Sequence, residues 1–191
     1  MAAKNTSLKD KVVAAMLALA TKQPWNQLSF EDITAEANVD HREALEYFDD
    51  KNDVLAAYGR LVDRKVFENA AAATDEPCRD KLFDLLMERF DVLNEDREAI
   101  LSILQGFRGD PKEAVLSFPH LGRSMSRTLE AAGIETKGIS GCVKVTALIG
   151  IYLYAVRVWK EDESADMAQT MAALDKALDR TEAVYNSVPF R

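Results

Sequence analysis

Apolar residues recur at intervals of three and four along almost the whole chain, the spacing that places them on one face of a helix. The first helix is predicted over 7–22, with an apolar face formed by Leu8, Val12, Ala15, Met16 and Leu19. Ser7 is the expected N-cap, and Pro24 prevents the helix from continuing. The alternating pattern of strands is almost missing from the sequence. We therefore predict an all-α protein.

Two short helices are predicted next, joined by a tight turn at Asn38 and Val39. The expected buried residues are Phe30, Ile33 and Ala37 on the first helix and Ala44, Leu45 and Phe48 on the second. Asn38 suits the turn because asparagine tolerates the left-handed backbone conformation. Ser29 and Asp40 are the expected N-caps of the two helices. This is the pattern of a helix-turn-helix, whose second helix enters the major groove in DNA-binding proteins.

The remaining helices are longer and more amphipathic. A linking helix is predicted over 53–73, and a break follows at 74–77. Further helices are predicted over 80–94, 96–107, 111–132, 138–159 and 165–186. Gly133 is the expected C-cap of the third of these. The sequence thus predicts a small three-helix head over 1–52 and a helical bundle body over 53–191.

Composition supports a folded protein but argues against strong DNA binding. Apolar residues make up 48% of the chain, and the formal net charge is −8. Residues 1–73 contain 9 Lys/Arg and 12 Asp/Glu, so the head together with the linking helix is not basic. Within 40–51 there are five acids against two bases. Because phosphate contacts supply much of the affinity for DNA, this is the wrong sign for tight binding.

Several other classes of protein are disfavoured. Cys78 and Cys142 lack a metal-binding spacing and are expected to be free thiols in a reducing cytoplasm. The most apolar segment, 145–156, is too short to cross a bilayer and is expected to be a buried helix. The sequence contains no phosphate-binding glycine loop, nucleophile motif or metal-ligand cluster. We therefore expect a cytoplasmic protein that is not an enzyme and needs no metal or cofactor.

The head resembles the TetR family of transcriptional regulators. The resemblance rests on Ile33, the run 37–39, the pair Tyr47-Phe48, and Lys51 with Leu55. It implies a dimeric, ligand-responsive repressor that binds a palindromic operator in duplex DNA. The DNA-binding residues would be drawn from Ser29, Thr34, Asn38, Asp40, His41, Arg42, Glu43, Glu46, Tyr47 and Lys51. The body would bind a small apolar or amphipathic effector.

Some positions depart from the TetR pattern and leave an alternative open. The family usually has an aromatic residue at the position of Leu45, and small or basic residues are commoner than Glu43 and Glu46. A weaker resemblance is to the TetR-like lipid-binding accessory proteins of ubiquinone biosynthesis, which have lost DNA binding. It rests on Pro24-Trp25 and on the segments 156–160 and 165–175. The alternative function is therefore isoprenoid or lipid binding with a silent head.

The body supplies two sets of candidate residues. A ligand cavity would be lined by Phe83, Met87, Phe90, Leu104, Phe107, Phe118, Met125, Leu148 and Tyr152, although such residues also form ordinary cores. A homodimer interface would use Val145, Ile149, Trp159, Met167, Met171, Leu174, Leu178 and Tyr185. The dimer would be a four-helix bundle of the last two helices and their copies. Alternatively, these two helices complete the core of a single protomer.

Overall fold

The computed structural model describes the backbone of residues 7–69, 76–109 and 111–187, and the side chains of residues 7–69, 76–107 and 119–183. These parts of the chain are helical and contain no strand, as predicted. The α-helices are α1 (Leu8–Ala20), α2 (Phe30–Glu36), α3 (His41–Ala44), α4 (Lys51–Asn69), α5 (Cys78–Glu95), α6 (Arg97–Gly109), α7 (Pro111–Ala131), α8 (Gly138–Trp159) and α9 (Ala168–Ser187). A single 3-10 turn, Trp25–Gln27, follows α1.

Helix boundaries follow from side-chain caps. At α1, Ser7 and Asp10 form a capping box, which confirms the predicted N-cap. Helix α4 begins two residues before the predicted start, because the Asp50 carboxylate accepts hydrogen bonds from the N–H groups of Asn52 at 2.7 Å and Asp53 at 3.0 Å. Beyond the end of α7, Gly133 has a φ of 84°, as its predicted role as C-cap requires.

Helix α9 begins three residues later than predicted. Met167 has a φ of 52°, which is incompatible with a continuous helix. The Ser164 hydroxyl accepts a hydrogen bond from the N–H of Ala168 at 2.9 Å, and the Asp162 carboxylate accepts one from Thr170 at 2.8 Å. These bonds fix the start of the helix, so residues 165–167 belong to the loop.

The chain folds into two compact units. The first comprises 1–62 and 93–120, and the second comprises 63–92 and 121–191. In the first unit α1 packs on α2 and α6, and the buried side chains include Met16, Trp25 and Ile33. In the second unit α8 packs on α9, and the buried side chains include Phe90, Met125 and Trp159.

Helix α8 has an unusual surface. Among the described helices it is the one long and apolar enough to cross a membrane, with a mean hydropathy of 1.7. A single such helix is weak evidence for a membrane span, since core helices pass the same test. However, only 22% of its most apolar window is buried within the chain. We predicted a helix buried on several sides, and within one protomer the structure leaves much of α8 uncovered.

Candidate nucleic-acid interface and ligand site

The turn between α2 and α3 has the predicted conformation. Asn38 has a φ of 50°, in the left-handed region that asparagine tolerates. The N–H groups of Asn38 and Val39 donate to the carbonyls of Ala35 and Thr34, each at 3.1 Å. Ala44 and Phe48 then fill the inner side, with the Phe48 ring edge-on to Phe30 at a centroid distance of 6.4 Å.

Side-chain caps begin both helices of the pair, Ser29 at α2 and Asp40 at α3. The Ser29 hydroxyl and backbone N–H donate to the Asp32 carboxylate at 2.7 and 3.0 Å, and these bonds lower the pKa of Asp32 from its ordinary value. The Asp40 carboxylate accepts from the N–H groups of Arg42 and Glu43 at 2.8 and 3.2 Å. The Ser29 hydroxyl also accepts from the N–H of Asp32 at 3.1 Å, so both predicted caps are confirmed. Glu43 contributes its backbone N–H to this cap.

Thr34 and His41 are held within the head. Thr34 is buried, and its hydroxyl lies 3.2 Å from His41 Nδ1. The His41 ring packs on Phe30 at a centroid distance of 5.2 Å, and its Nε2 lies 3.8 Å from a Glu31 carboxylate oxygen. Because its Nδ1 lies at the Thr34 hydroxyl and its ring packs on Phe30, His41 is poorly placed to read a base. Thr34 has no surface with which to contact DNA.

The exit of α3 exposes two large side chains. Leu45 is 45% exposed, which contradicts its predicted burial, and Tyr47 is 50% exposed. Successive helical residues advance by about 100°, so a helix that turns Ala44 inward directs Leu45 away from the core. The Lys9 ammonium lies 4.8 Å from the centre of the Tyr47 ring. Tyr47 therefore remains accessible for a phosphate contact, with a cation beside it.

Lys51 points into the first unit. Its ammonium donates to the Trp25 carbonyl at 3.0 Å and lies 4.9 Å from the centre of the indole ring. Trp25 itself is fully buried. Lys51, which we predicted to contact a DNA phosphate, is therefore engaged within the first unit.

Other predicted DNA-binding residues lie at the surface. Arg42, Glu43 and Glu46 are exposed. Of the remaining predicted DNA-binding residues, Ser29 is half-buried at its cap, and Asn38 and Asp40 are exposed.

The predicted ligand residues lie in both compact units. In the second unit, the Phe90 ring stacks on Tyr152 at a centroid distance of 5.7 Å, and Met87, Met125 and Leu148 are buried, while Phe83 is half-buried. Leu104 and Phe107 are half-buried in the first unit. The side chain of Phe118 lies outside the described residues. Burial raises the pKa of Tyr152 from its ordinary value, and the neighbouring Arg89 guanidinium partly opposes this shift.

An open groove of about 660 Å³ lies elsewhere, between the end of α1 with its following loop and α6. Its lining includes Lys22, Gln27, Glu98 and Gln105, and it contains none of the predicted ligand residues. Within the described part of the chain, no three His, Cys, Asp or Glu side chains form a metal-binding group. Cys78 and Cys142 are free and exposed.

Solved structures share this arrangement of helices. A TetR transcriptional regulator from Nitrosomonas europaea ATCC 19718 matches with a TM-score of 0.71, over 94% of this chain and 99% of its own, at 22% identity. A TetR transcriptional regulator from Rhodococcus sp. RHA1 matches with a TM-score of 0.61, over 89% and 92%, at 17% identity. The chain has a TetR-like fold. No family model and no curated protein sequence matches it.

Within this TetR-like fold, several residues predicted for a dimer interface are buried in the single chain. Trp159, Met167, Leu174 and Leu178 are buried within the chain. Val145 and Ile149 are half-buried, Met171 is exposed, and the side chain of Tyr185 lies outside the described residues. The large apolar side chains that α8 does expose include Ile139 at 87% and Val143 at 59%, with Leu153 and Tyr154 farther along.

Three features of the TetR-like fold escaped the sequence interpretation. They are the exposure of Leu45, the engagement of Lys51 with Trp25, and a buried polar cluster of Asp63, Arg89 and Ser124. The last two depend on contacts between residues far apart in the sequence. The one available signal for the cluster was that Arg89 falls on the apolar face of α5, four residues after Leu85 and four before Leu93.

Proposed function

We propose that the protein is a cytoplasmic, homodimeric transcriptional regulator that binds a palindromic operator through α3 and acts as a repressor. The observation that carries this proposal is the helix-turn-helix, with its left-handed Asn38 and capped α3, on a TetR-like fold. Arg42 and Tyr47 are the exposed groups best suited to contact DNA, with Lys9 beside Tyr47. The proposed head remains 1–52 and the proposed body 53–191.

The acids near the turn have different consequences for DNA binding. Asp40 is accounted for by its two hydrogen bonds to the start of α3, and Asp32 by the hydrogen bonds that its carboxylate accepts from Ser29 at the start of α2. Glu43 and Glu46 are exposed, and no ion pair neutralises them among the described residues. They would repel phosphates. We therefore expect weak non-specific binding, with affinity that depends on a matched operator sequence.

Dimerisation is proposed to bury the uncovered face of α8. Ile139, Val143, Leu153 and Tyr154 are exposed apolar residues of this helix, and Met171 is exposed on α9. Large exposed apolar patches are rare on monomeric proteins and mark interaction sites. A second copy would cover this surface and pair the two heads, as a palindromic operator requires. We therefore place the interface on these residues rather than on the buried seam of α9.

The proposed mechanism is a shift between two spacings of the heads. An effector that fits the body better in one arrangement stabilises that arrangement by its difference in affinity. If the stabilised spacing does not match two major grooves about 34 Å apart, the operator is released.

A selection of random duplex DNA on the purified protein at low salt tests this function. The enriched sequences are then bound again as salt is raised. We expect an inverted repeat with half-sites one or more helical turns apart, and affinity that falls steeply with salt. Recovery of no sequence would remove the regulator proposal.

A second candidate function is lipid binding with a silent head. The observation that favours it is the engagement of Lys51 with Trp25, which withdraws a cation from the DNA-facing surface, together with the exposed Glu46. Such a protein would carry an apolar ligand through purification and would enrich no DNA. Native mass spectrometry of the purified protein identifies a retained lipid by its mass.

A further inference from the structure

Three polar side chains from three helices meet inside the second unit. The Arg89 guanidinium of α5 donates through Nη2 to the Asp63 carboxylate of α4 and to the Ser124 hydroxyl of α7, the latter at 2.8 Å. The Ser124 hydroxyl in turn donates to Asp63 Oδ1 at 2.6 Å. All three side chains are buried. The cluster therefore joins α4, α5 and α7 at a place where water is excluded.

One donor of this cluster has no partner. Arg89 is only 4% exposed, and its Nε is buried without a hydrogen bond. Buried polar atoms nearly always have a partner, so an orphaned N–H requires an explanation. A guanidinium characteristically binds a carboxylate through two N–H groups at once. Its hydrogen bond to Asp63 uses Nη2 and leaves the Nε–H available to a second acceptor.

Positive charge exceeds negative charge around this donor. Arg127 Nη1 lies 3.9 Å from Asp63 Oδ2, so two guanidiniums share one carboxylate. Arg127 is more than half exposed, and solvent screens its charge, whereas Arg89 is enclosed. A buried cation that is incompletely paired favours an anionic partner.

Aromatic side chains lie directly beside the guanidinium. The Arg89 Cζ is 5.8 Å from the centre of the Tyr152 ring on α8. Tyr152 stacks on Phe90, and Phe90 lies 6.1 Å from the ring of Trp159. The Tyr152 hydroxyl also interacts with the guanidinium, so an anion held at Arg89 would have this polar group and the faces of the aromatic rings next to it. A guanidinium beside aromatic rings suits an amphiphile with an acidic head group.

We propose that Arg89 binds the carboxylate of an apolar carboxylic acid, with the hydrocarbon part of the ligand against Phe90 and Tyr152. This inference rests on the proposed ligand-binding role of the body and names the chemical class of the effector. The ligand carboxylate accepts from the Nε–H of Arg89, and Ser124 continues to hold Asp63. Because the side chains are packed, binding requires the aromatic wall to move. That movement is the conformational change that a regulator needs.

Isothermal titration of the intact protein with dodecanoate, below its micellar concentration, tests the proposal. Titration with 1-dodecanol, which has the same chain without the charge, gives the apolar contribution alone. We expect dodecanoate to bind at least about tenfold more tightly than dodecanol, since a hydrogen bond to a charged group supplies the difference. Equal affinities for the two compounds, or no binding of either, would overturn the proposal.

The double variant Asp63→Asn with Arg89→Gln tests whether this cluster causes the preference for dodecanoate over dodecanol. Changing both residues avoids leaving a buried carboxylate unpaired. The variant should retain its helical circular dichroism and its affinity for dodecanol, and lose the preference for dodecanoate. The control is Arg79→Gln, a second α5 arginine, which instead pairs with Asp175 and Asp179 of α9. A preference for dodecanoate that survives in the double variant would also overturn the proposal.

DNA selection separates this inference from the proposed function. An Arg89-dependent preference for dodecanoate with no enriched operator supports the binding site and contradicts the regulator. An enriched operator without binding of dodecanoate supports the regulator and contradicts the acidic effector. If dodecanoate binds and an operator is also enriched, dodecanoate should change the affinity for the operator in the wild type and in Arg79→Gln, but not in the double variant.

Discussion

Gly106 of α6 lies directly against the side chain of Trp25. A Cβ built at residue 106 would be 2.7 Å from the Trp25 Cβ and 3.0 Å from its Cδ1. Trp25 is fully buried in the turn after α1, and the Lys51 ammonium covers its ring. The indole therefore has little freedom to retreat. A glycine at this position allows α6 to pack closely on the turn between α1 and α2.

Gly106→Ala should destabilise the protein. Alanine normally favours a helix by about 1 kcal/mol relative to glycine, but forcing a methyl group into a packed site costs about 1–3 kcal/mol. We expect a net loss of about 1 kcal/mol in urea unfolding. The matched control is Gly59→Ala, because a Cβ at residue 59 of α4 would meet nothing within 4 Å. That control should be neutral or stabilising, and equal effects of the two changes would contradict the close contact.

The Asp162 carboxylate organises the loop between α8 and α9. Burial acts to raise its pKa, but hydrogen bonds from the hydroxyl and N–H groups of Ser164 and Thr170 outweigh this effect and hold the pKa of Asp162 well below its ordinary value. A carboxyl group whose pKa is lower in the folded state stabilises that state above its unfolded pKa, near 3.9. This contribution is lost as pH falls through the folded value.

Asp162→Asn should therefore lower stability at neutral pH by about 2 kcal/mol, the contribution of hydrogen bonds to a charged group. It should also flatten the fall in stability as pH is lowered below about 4. Thermal unfolding followed by circular dichroism from pH 7 to pH 3 measures both effects. Asp166→Asn, an exposed change in the same loop, is the control. A pH profile identical in Asp162→Asn and the wild type would show that this carboxylate is not linked to folding.

Val143→Glu should dissociate the proposed dimer. Val143 lies on the uncovered face of α8, and two copies of a buried glutamate would meet in a symmetric interface. Sedimentation equilibrium at micromolar concentration should give about twice 21.3 kDa for the wild type and about 21.3 kDa for the variant. Ala14→Glu, at an exposed position of α1, should leave the assembly unchanged. A monomeric wild type would remove the dimer proposal.

Local features of the fold could be predicted from the sequence, and side-chain directions at the candidate site could not. The caps at Ser7 and Ser29 and the left-handed Asn38 depend on residues within a few positions of one another, so short patterns reveal them. Lys51 contacts Trp25 across 26 positions, and Arg89 contacts Ser124 across 35. Such contacts arise only when helices pack.

Glu46→Lys tests whether the exit of α3 faces DNA. The change replaces an exposed acid by a base, so it should strengthen non-specific binding at low salt and steepen the dependence of affinity on salt. A rise of about tenfold in affinity for a random duplex is expected if one phosphate contact forms in place of a repulsion. Asp40→Asn should give a smaller rise in affinity without loss of stability, because asparagine caps a helix as well as aspartate does.

Glu135→Lys makes the same charge change as Glu46→Lys in the exposed loop before α8 and serves as the control. Fluorescence anisotropy with a labelled duplex measures all three variants. Equal affinities for Glu46→Lys and Glu135→Lys would mean that α3 does not approach the groove, and the head would then be a structural remnant of the TetR-like fold.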